Sequence, residues 1–183
     1  QIGDQAQANS ALINYHFGGK AALYEAVIQR RLLEGHHASE GVVSLLNTTK
    51  DLKLSREFLR STLHEMLRQM MARMTARPPF FRLMTREMAA GFPVAKKVMG
   101  RWVPLEPFAK LIERAQKEGL IRKELSSWTV AFTLFSVHIQ YILSAPILKQ
   151  VVGINTFDSK THNKIIEQNL SILLDGLWNE MES

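Results

Sequence analysis

The chain contains no cysteine among its 183 residues. Disulfide frameworks, thiolate zinc sites and catalytic thiols are therefore excluded. The phosphate-binding glycine patterns G-x-G-x-x-G and G-x-x-x-x-G-K-[ST] are also missing, as is the nucleophile motif G-x-S-x-G. Enzymatic catalysis thus has no support in the sequence, and we expect no catalytic residue and no cofactor.

Histidines could still supply metal ligands, because the chain has six of them. His36 and His37 are adjacent, so on a helix they point about 100° apart and cannot share a metal ion. The pair His64-Glu65 begins like a zinc-protease motif, but Arg68 stands where the second histidine is required. We expect no metal site. An enzyme would require His64 or His138 to meet a carboxylate from a distant part of the chain.

Acidic residues are fewer than basic ones, 17 against 23, which gives a net charge of +6. Such a balance favours polyanionic partners or anionic membrane surfaces. The excess lies in the middle of the chain, because residues 61–123 hold 13 basic and 5 acidic side chains, whereas residues 1–60 hold 7 and 6. The simplest interpretation is a solvated basic face, and charge alone does not place nucleic acid at the N-terminal part.

The chain shows no basic and apolar leader of the secretory type at its start. The uncharged run of residues 128–148 is long enough by count to cross a bilayer. That run contains several hydroxyl and amide side chains and a histidine, and basic flanks are lacking, so a helix buried within the fold is favoured over a membrane span. We expect a cytoplasmic protein without membrane contact.

Strand-like alternation of apolar and polar residues is absent, whereas helical periodicity recurs along the whole chain. The sequence therefore predicts an all-α fold. We divide it into an N-terminal head, residues 1–35, and a larger helical body, residues 36–183. The predicted helices run over about 9–17, 21 to near Gly35, 55–77, 79–90, 93–119, 126–152, and from about 159 to the end. Pro78 and Pro79 are expected to stop the third helix, and Pro104 and Pro107 to kink or divide the fifth. Ser126 is the expected N-cap of the sixth.

The head contains the most informative segment. Asn9 can cap a short helix whose Ile13 and Phe17, four residues apart, share one face and can pack with Leu23 and Val27. The opposite face carries small and hydrogen-bonding residues, of the kind that can enter a major groove. His16 and Lys20 flank the turn Gly18-Gly19, where backbone amides and a helix N-terminus can hold a phosphate. An ordinary capped helix with a packed histidine is the alternative.

This segment resembles the helix-turn-helix of the TetR family of bacterial transcriptional regulators. The matching positions stand in one unbroken register: Ile2, Ala6, Ile13, Tyr15, His16, Phe17, Gly18, Lys20, Leu23, Tyr24, Ala26 and Val27. The family pattern differs at Gln7, where glycine is usual, and at Asn14, where tyrosine is common.

The resemblance implies the DNA contacts. Tyr15, His16 and Lys20 would contact phosphates, while Ser10, Ala11, Leu12 and Asn14 would face the bases. It also implies that the family's first helix, and the front of its second, precede Gln1. The head in this chain is accordingly expected to be truncated at its N-terminus.

A ligand site is expected in the body. Seven of the eight methionines lie between Met66 and Met99, and methionine adapts to several ligands although it serves more often as core filler. A small-molecule effector of largely apolar character would be bound by methionines together with aromatic and polar side chains. The candidates are Met70, Met74, Phe81, Met84, Met88, Trp102, Phe108, Phe132, His138 and Tyr141.

The last two predicted helices offer more apolar surface than one chain readily covers. Intrachain core packing is the simpler explanation of their apolar seam. The resemblance implies instead that these helices form a four-helix bundle with a second copy, and two-fold symmetry would then present two recognition helices to a palindromic operator. The seam consists of Ile166, Leu170, Leu173, Leu177 and Trp178.

Together these features predict a ligand-responsive, homodimeric transcriptional repressor that binds double-stranded operator DNA. The alternative is a helical dimeric ligand-binding or scaffolding module without DNA contact.

Overall fold

A computed structural model describes residues 10–48, 52–76, 78–99 and 105–177. Within these residues the backbone is helical and contains no strand, which confirms the predicted all-α fold. The helices are α1 (Ser10–Phe17), α2 (Lys20–Thr48), α3 (Arg56–Ala76), α4 (Pro78–Ala89), α5 (Ala95–Met99), α6 (Glu106–Lys117), α7 (Ser127–Leu143), α8 (Ala145–Ile147) and α9 (Ser159–Asp175). A π-helical turn, Leu148–Val152, follows α8.

The chain divides into two compact units. Unit 1 comprises residues 1–39 and 82–103, and unit 2 comprises residues 40–81 and 104–183. Residues 82–103 therefore belong to the same compact unit as residues 1–39, although the two segments are separated in sequence. The division into a head of residues 1–35 and a body of residues 36–183 stays a prediction.

Unit 2 is built around a core that α3, α6, α7 and α9 share. On α3 the buried residues recur at three and four residue steps, as in Leu59, Leu63 and Met66, so that one face of the helix lies in the core. Leu111 and Ile112 of α6 are also buried there. These spacings explain why amphipathic segments of this length fold as packed helices rather than as isolated ones.

Polar side chains fix the starts of the last two long helices. The Ser126 hydroxyl accepts a hydrogen bond from the Thr129 amide, 3.3 Å away, and caps α7 as predicted. The Asp158 carboxylate caps α9 by accepting from the Thr161 amide at 2.9 Å. That bond, with a second from the Thr161 hydroxyl, lowers the pKa of Asp158 below its ordinary value.

The predicted end of the second helix is wrong. The second helix was expected to end near Gly35, but α2 continues to Thr48. A glycine inside a helix costs only about 1 kcal/mol relative to alanine, and no proline interrupts this stretch. Within unit 2, Gly41 also has a packing role, because a Cβ there would lie 3.3 Å from the Gln69 side chain.

The helix expected over 126–152 is divided in the structure. α7 ends at Leu143, and the part from α8 to Val152 is bent from it by 56°. Pro146 in the first turn of α8 accounts for the break, since it lacks the amide that would continue the helix. Among the described residues no single helix has the length and apolar character needed to cross a membrane, and this bent pair meets both criteria only in combination.

The helix expected over 93–119 is divided in the structure, one of the two outcomes that its prolines predicted. The structure has α5, which ends at Met99, and α6, which begins at Glu106 with Pro107 in its first turn. Proline is favoured at such a position because its missing amide would be unpaired in any case. Residues 100–104 lie outside the described part of the chain.

Candidate nucleic-acid interface

The turn between α1 and α2 consists of two glycines with left-handed backbones. Gly18 has φ +76° and Gly19 has φ +123°, a region that L side chains rarely adopt. The Gly18 amide donates to the Asn14 carbonyl at 2.9 Å, which closes the end of α1. The Leu23 amide donates to the Gly19 carbonyl at 3.0 Å, which begins the hydrogen bonding of α2. The turn therefore separates α1 from α2 within two residues, as the glycine pair predicted.

One face of α1 presents its side chains to solvent. Leu12 is about half exposed and Tyr15 is 83% exposed, and Ala11 and Asn14 are exposed as well. The predicted base-facing residue Ser10 is the first residue of α1, and its side chain lies outside the described set. An exposed tyrosine and an exposed leucine on an eight-residue helix place apolar and hydrogen-bonding groups where a partner could contact them.

Basic groups lie at both ends of the glycine turn. His16 is in the last turn of α1, Lys20 is the first residue of α2, and both side chains are exposed. The rings of Tyr15 and His16 meet edge to face with centroids 5.1 Å apart. The predicted phosphate contacts are thus brought to one short stretch of surface, where a cation and a hydroxyl can both reach an anion.

The inward side of this segment differs from expectation. Ile13 and Leu23 are half-buried, but Phe17 and Val27, which were expected in the core, remain about two-fifths exposed. Among the α2 side chains that the structure describes, the buried apolar ones are Ile28 and Leu32, which sequence reasoning missed. Their four-residue spacing, continuous with Tyr24, is the signal that could have identified this face.

A buried carboxylate in unit 1 was also missed. Glu87 of α4 is only 1% exposed, and its Oε1 accepts a hydrogen bond from the Tyr24 hydroxyl at 2.7 Å. Its Oε2 accepts from the backbone amides of Val94 at 3.0 Å and Ala95 at 2.8 Å. Burial by itself would raise the pKa of Glu87, but these hydrogen bonds outweigh it and the pKa is lowered. The hydrogen bond from the Tyr24 hydroxyl to Glu87 raises the pKa of Tyr24.

No family model matches this chain, and no curated protein does. The case for a nucleic-acid interface therefore rests on the residues and their geometry.

The residues predicted to bind a ligand are distributed over both units. Phe108 is buried in the core of unit 2, where Met70 and Met74 pack against the same cluster. Met84 and Met88 belong to unit 1, and Met88 is about half exposed. Tyr141 is half-buried on α7, whereas Trp102 and the side chain of Phe81 lie outside the described residues. The candidates that the structure describes are therefore divided between the two units.

Phe132 is placed on the surface instead of in a cavity. Its side chain is 59% exposed, and it shares the outer face of α7 with Trp128 one turn earlier. The buried residues of α7 lie on the other side of the helix, around Leu134 and His138. Because an uncharged helix shows few polar positions to mark its outer face, its sequence alone did not reveal which side is exposed.

His138 is fully buried in unit 2. Its Nδ1 donates to the Leu134 carbonyl, 2.6 Å away, so in the neutral ring Nε2 carries a lone pair. That Nε2, like the Nε2 of His64, has no hydrogen-bond partner among the described residues. Burial lowers the pKa of His138, and the charge of nearby His64 lowers it further. The described part of the chain holds no group of three metal-binding side chains.

The predicted dimer seam also divides. Ile166 and Leu170 are fully buried against other helices of their own chain, so at these two positions the intrachain alternative describes the structure. Leu173 and Leu177 are half-buried and pack against the same cluster, and Trp178 lies outside the described residues. The exposed apolar residue of α9 is Ile172, at 73%.

Proposed function

We propose that this chain is a DNA-binding transcriptional regulator of the TetR type, a cytoplasmic homodimer that represses transcription from a palindromic operator and responds to a small molecule. The observation that carries the proposal is the arrangement of α1, the glycine turn and the start of α2. A short helix with an exposed face carries one exposed basic group, His16, in its last turn, and a second, Lys20, begins the next helix four residues later.

We expect the exposed side chains of α1 to contact bases and those beside the glycine turn to contact phosphates. The side chains of α1 would read base edges, with Asn14 able to pair bidentately with adenine. Tyr15, His16 and Lys20 would bind phosphates, which positions the helix but carries no sequence information. The left-handed glycines allow the base-contacting helix and the phosphate-contacting Lys20 to lie on either side of a single turn.

A homodimer is supported by the outer face of α7. Trp128, Phe132 and Leu143 are all more than one-third exposed, and α7 contains no charged side chain. In a two-fold interface the same surface of both subunits is in contact. A neutral apolar face can therefore pack against its counterpart in the second copy without like-charge repulsion. Ile172 of α9 adds a further exposed apolar side chain in the same unit.

The test is binding of the full-length protein to the intergenic DNA upstream of its own gene, compared with unrelated DNA at two salt concentrations. A regulator binds its own upstream DNA selectively at both concentrations. Weak binding that is equal on both DNAs and disappears with salt reflects electrostatics alone. That result would favour the dimeric ligand-binding or scaffolding module without DNA contact.

Replacing Lys20 with alanine is expected to weaken binding to operator DNA and to unrelated DNA alike, because a phosphate contact is lost. The slope of log affinity against log salt concentration should decrease in magnitude by about 0.9 for each Lys20, and so by about 1.8 for the proposed dimer. The matched control is Lys117→Ala, which removes the same charge from the exposed end of α6. An unchanged slope for Lys20→Ala would show that Lys20 does not contact DNA.

Replacing Asn14 with alanine is expected to affect base choice rather than overall affinity. Loss of a bidentate base contact should reduce discrimination at one operator position by about 1–3 kcal/mol. Binding to a set of operators mutated one base pair at a time measures this loss, with Lys20→Ala as the comparison that retains discrimination. Uniform weakening on all operators would reassign Asn14 to a phosphate.

A further inference from the structure

The contact between Glu87 and Tyr24 joins parts of unit 1 that are 63 residues apart in sequence. Tyr24 lies in the second turn of α2, and Glu87 lies near the end of α4. One carboxylate oxygen accepts from the tyrosine, and the other accepts from the amides of Val94 and Ala95 at the start of α5. A single buried side chain thus connects α2, α4 and the start of α5.

The geometry explains why a charged group is tolerated in this position. An ionised carboxylate is costly to bury unless its oxygens are hydrogen-bonded. At Glu87 three donors within 3.0 Å satisfy both oxygens. Hydrogen bonds to a charged acceptor are stronger and more directional than bonds between neutral groups. The contact consequently fixes the position of the tyrosine hydroxyl more strictly than apolar packing would.

Tyr24 is one helical turn after Lys20 on α2, so the two side chains share a face. The residues before Lys20 are the two glycines, which permit backbone freedom that other residues lack. Because glycines restrain the backbone less than other residues do, the rotation of the first turns of α2 depends more strongly on contacts made after the turn. The hydroxyl of Tyr24 makes such a contact.

Among the described residues, the apolar side chains nearest the glycine turn are only partly buried. Phe17 and Val27 are partly exposed, and the buried apolar residues in the described part of the unit are Ile28, Leu32 and Ala95. Ile28 and Leu32 lie one and two turns beyond Tyr24. The polar contact of Tyr24 therefore lies between the buried apolar face of α2 and the exposed residues around the glycine turn.

We propose that Glu87, acting through the Tyr24 hydroxyl, is a positioning residue for DNA binding: it holds the first turns of α2 so that Lys20 and the preceding helix α1 meet DNA in a fixed orientation. This inference rests on the proposed function. It assigns the 82–99 segment a part in DNA affinity that does not require any of its residues to contact DNA.

The first variant is Tyr24→Phe, which removes one hydroxyl without changing charge or shape. We expect it to bind the selective operator about three- to tenfold more weakly than the wild type, because the loss of one hydrogen bond to a carboxylate loosens the helix. The salt slope should stay at the wild-type value, since no phosphate contact is removed. Lys20→Ala provides the opposite pattern, with a reduced slope.

A double-mutant cycle tests whether the two residues act through each other. Glu87→Gln and Tyr24→Phe are made singly and together, and Glu106→Gln on the exposed surface of α6 controls for the loss of one negative charge. If Glu87 acts through Tyr24, the effect of Tyr24→Phe on operator affinity becomes smaller when residue 87 is already glutamine. Additive effects would overturn the proposed connection.

A purely structural role is separated by measuring folding alongside binding. Operator affinity is determined at a temperature at which circular dichroism shows every variant to be fully folded. Hydrogen exchange of the amides in the first turns of α2 should become faster in Tyr24→Phe. Equal operator affinity of wild type and Tyr24→Phe overturns this inference alone, whereas a wild type without selective DNA binding overturns the proposed function and this inference with it.

Discussion

Replacing Leu170 with alanine is expected to lower the free energy of unfolding of unit 2 by about 3 kcal/mol. Leu170 is fully buried in the core cluster, on the face of α9 that packs against α3 and α7. Truncation removes buried methyl groups and leaves a cavity that rigid neighbouring helices fill only in part. Urea unfolding followed by circular dichroism measures the loss.

The control is Ile172→Ala, two residues further along the same helix. Ile172 is 73% exposed within the chain, so its truncation should change the stability of the isolated chain by no more than about 0.5 kcal/mol. Any larger effect should depend on protein concentration, because it would report contacts with a second copy. A concentration-independent loss at Ile172 as large as that at Leu170 would mean that the two faces of α9 are wrongly assigned.

Replacing Phe132 with glutamate is expected to dissociate the proposed dimer. Phe132 is the most exposed apolar side chain on the neutral outer face of α7, and two-fold symmetry would bring both introduced carboxylates into one apolar interface. Aromatic residues near an interface centre account for much of the binding energy, so the dissociation constant should rise by more than about 100-fold. Sedimentation equilibrium measures this change directly.

Ala72→Glu on the exposed surface of α3 introduces the same charge away from α7. It should leave both the dissociation constant and the helix content unchanged. A Phe132→Glu protein that remains dimeric would exclude the outer face of α7 from the interface. Since a palindromic operator requires two recognition helices, the monomeric variant should also lose selective DNA binding.

Local signals predicted much of the fold. The Ser126 cap, the glycine turn after Phe17 and the prolines near residue 78 each depend on neighbouring residues, and the structure has helix boundaries at all three. The end of α2 was wrong because Gly35 disfavours a helix by an amount that other interactions easily exceed. The break after Leu143 was missed although Pro146 indicates it.

In the candidate interface, too, features set by neighbouring residues could be predicted from the sequence, whereas contacts between distant residues could not. The exposure of Asn14 and Tyr15 follows from the periodicity of an eight-residue helix. The role of Glu87 could not be found in this way, because its partner is 63 residues away and a glutamate at the end of a helix is ordinarily exposed. Which apolar residues of α7 face inward likewise depends on the helices packed around it.

The burial of His138 makes folding of unit 2 a proton-linked reaction. Its pKa is lowered in the folded chain, chiefly by burial, whereas the unfolded chain has the ordinary value near 6.5. Above that value both states are neutral at this residue and its contribution to stability is complete. As the pH falls from there toward the folded pKa, unfolding takes up a proton and that contribution is progressively lost. One imidazole thus gives a largely apolar interior a sensitivity to mild acid.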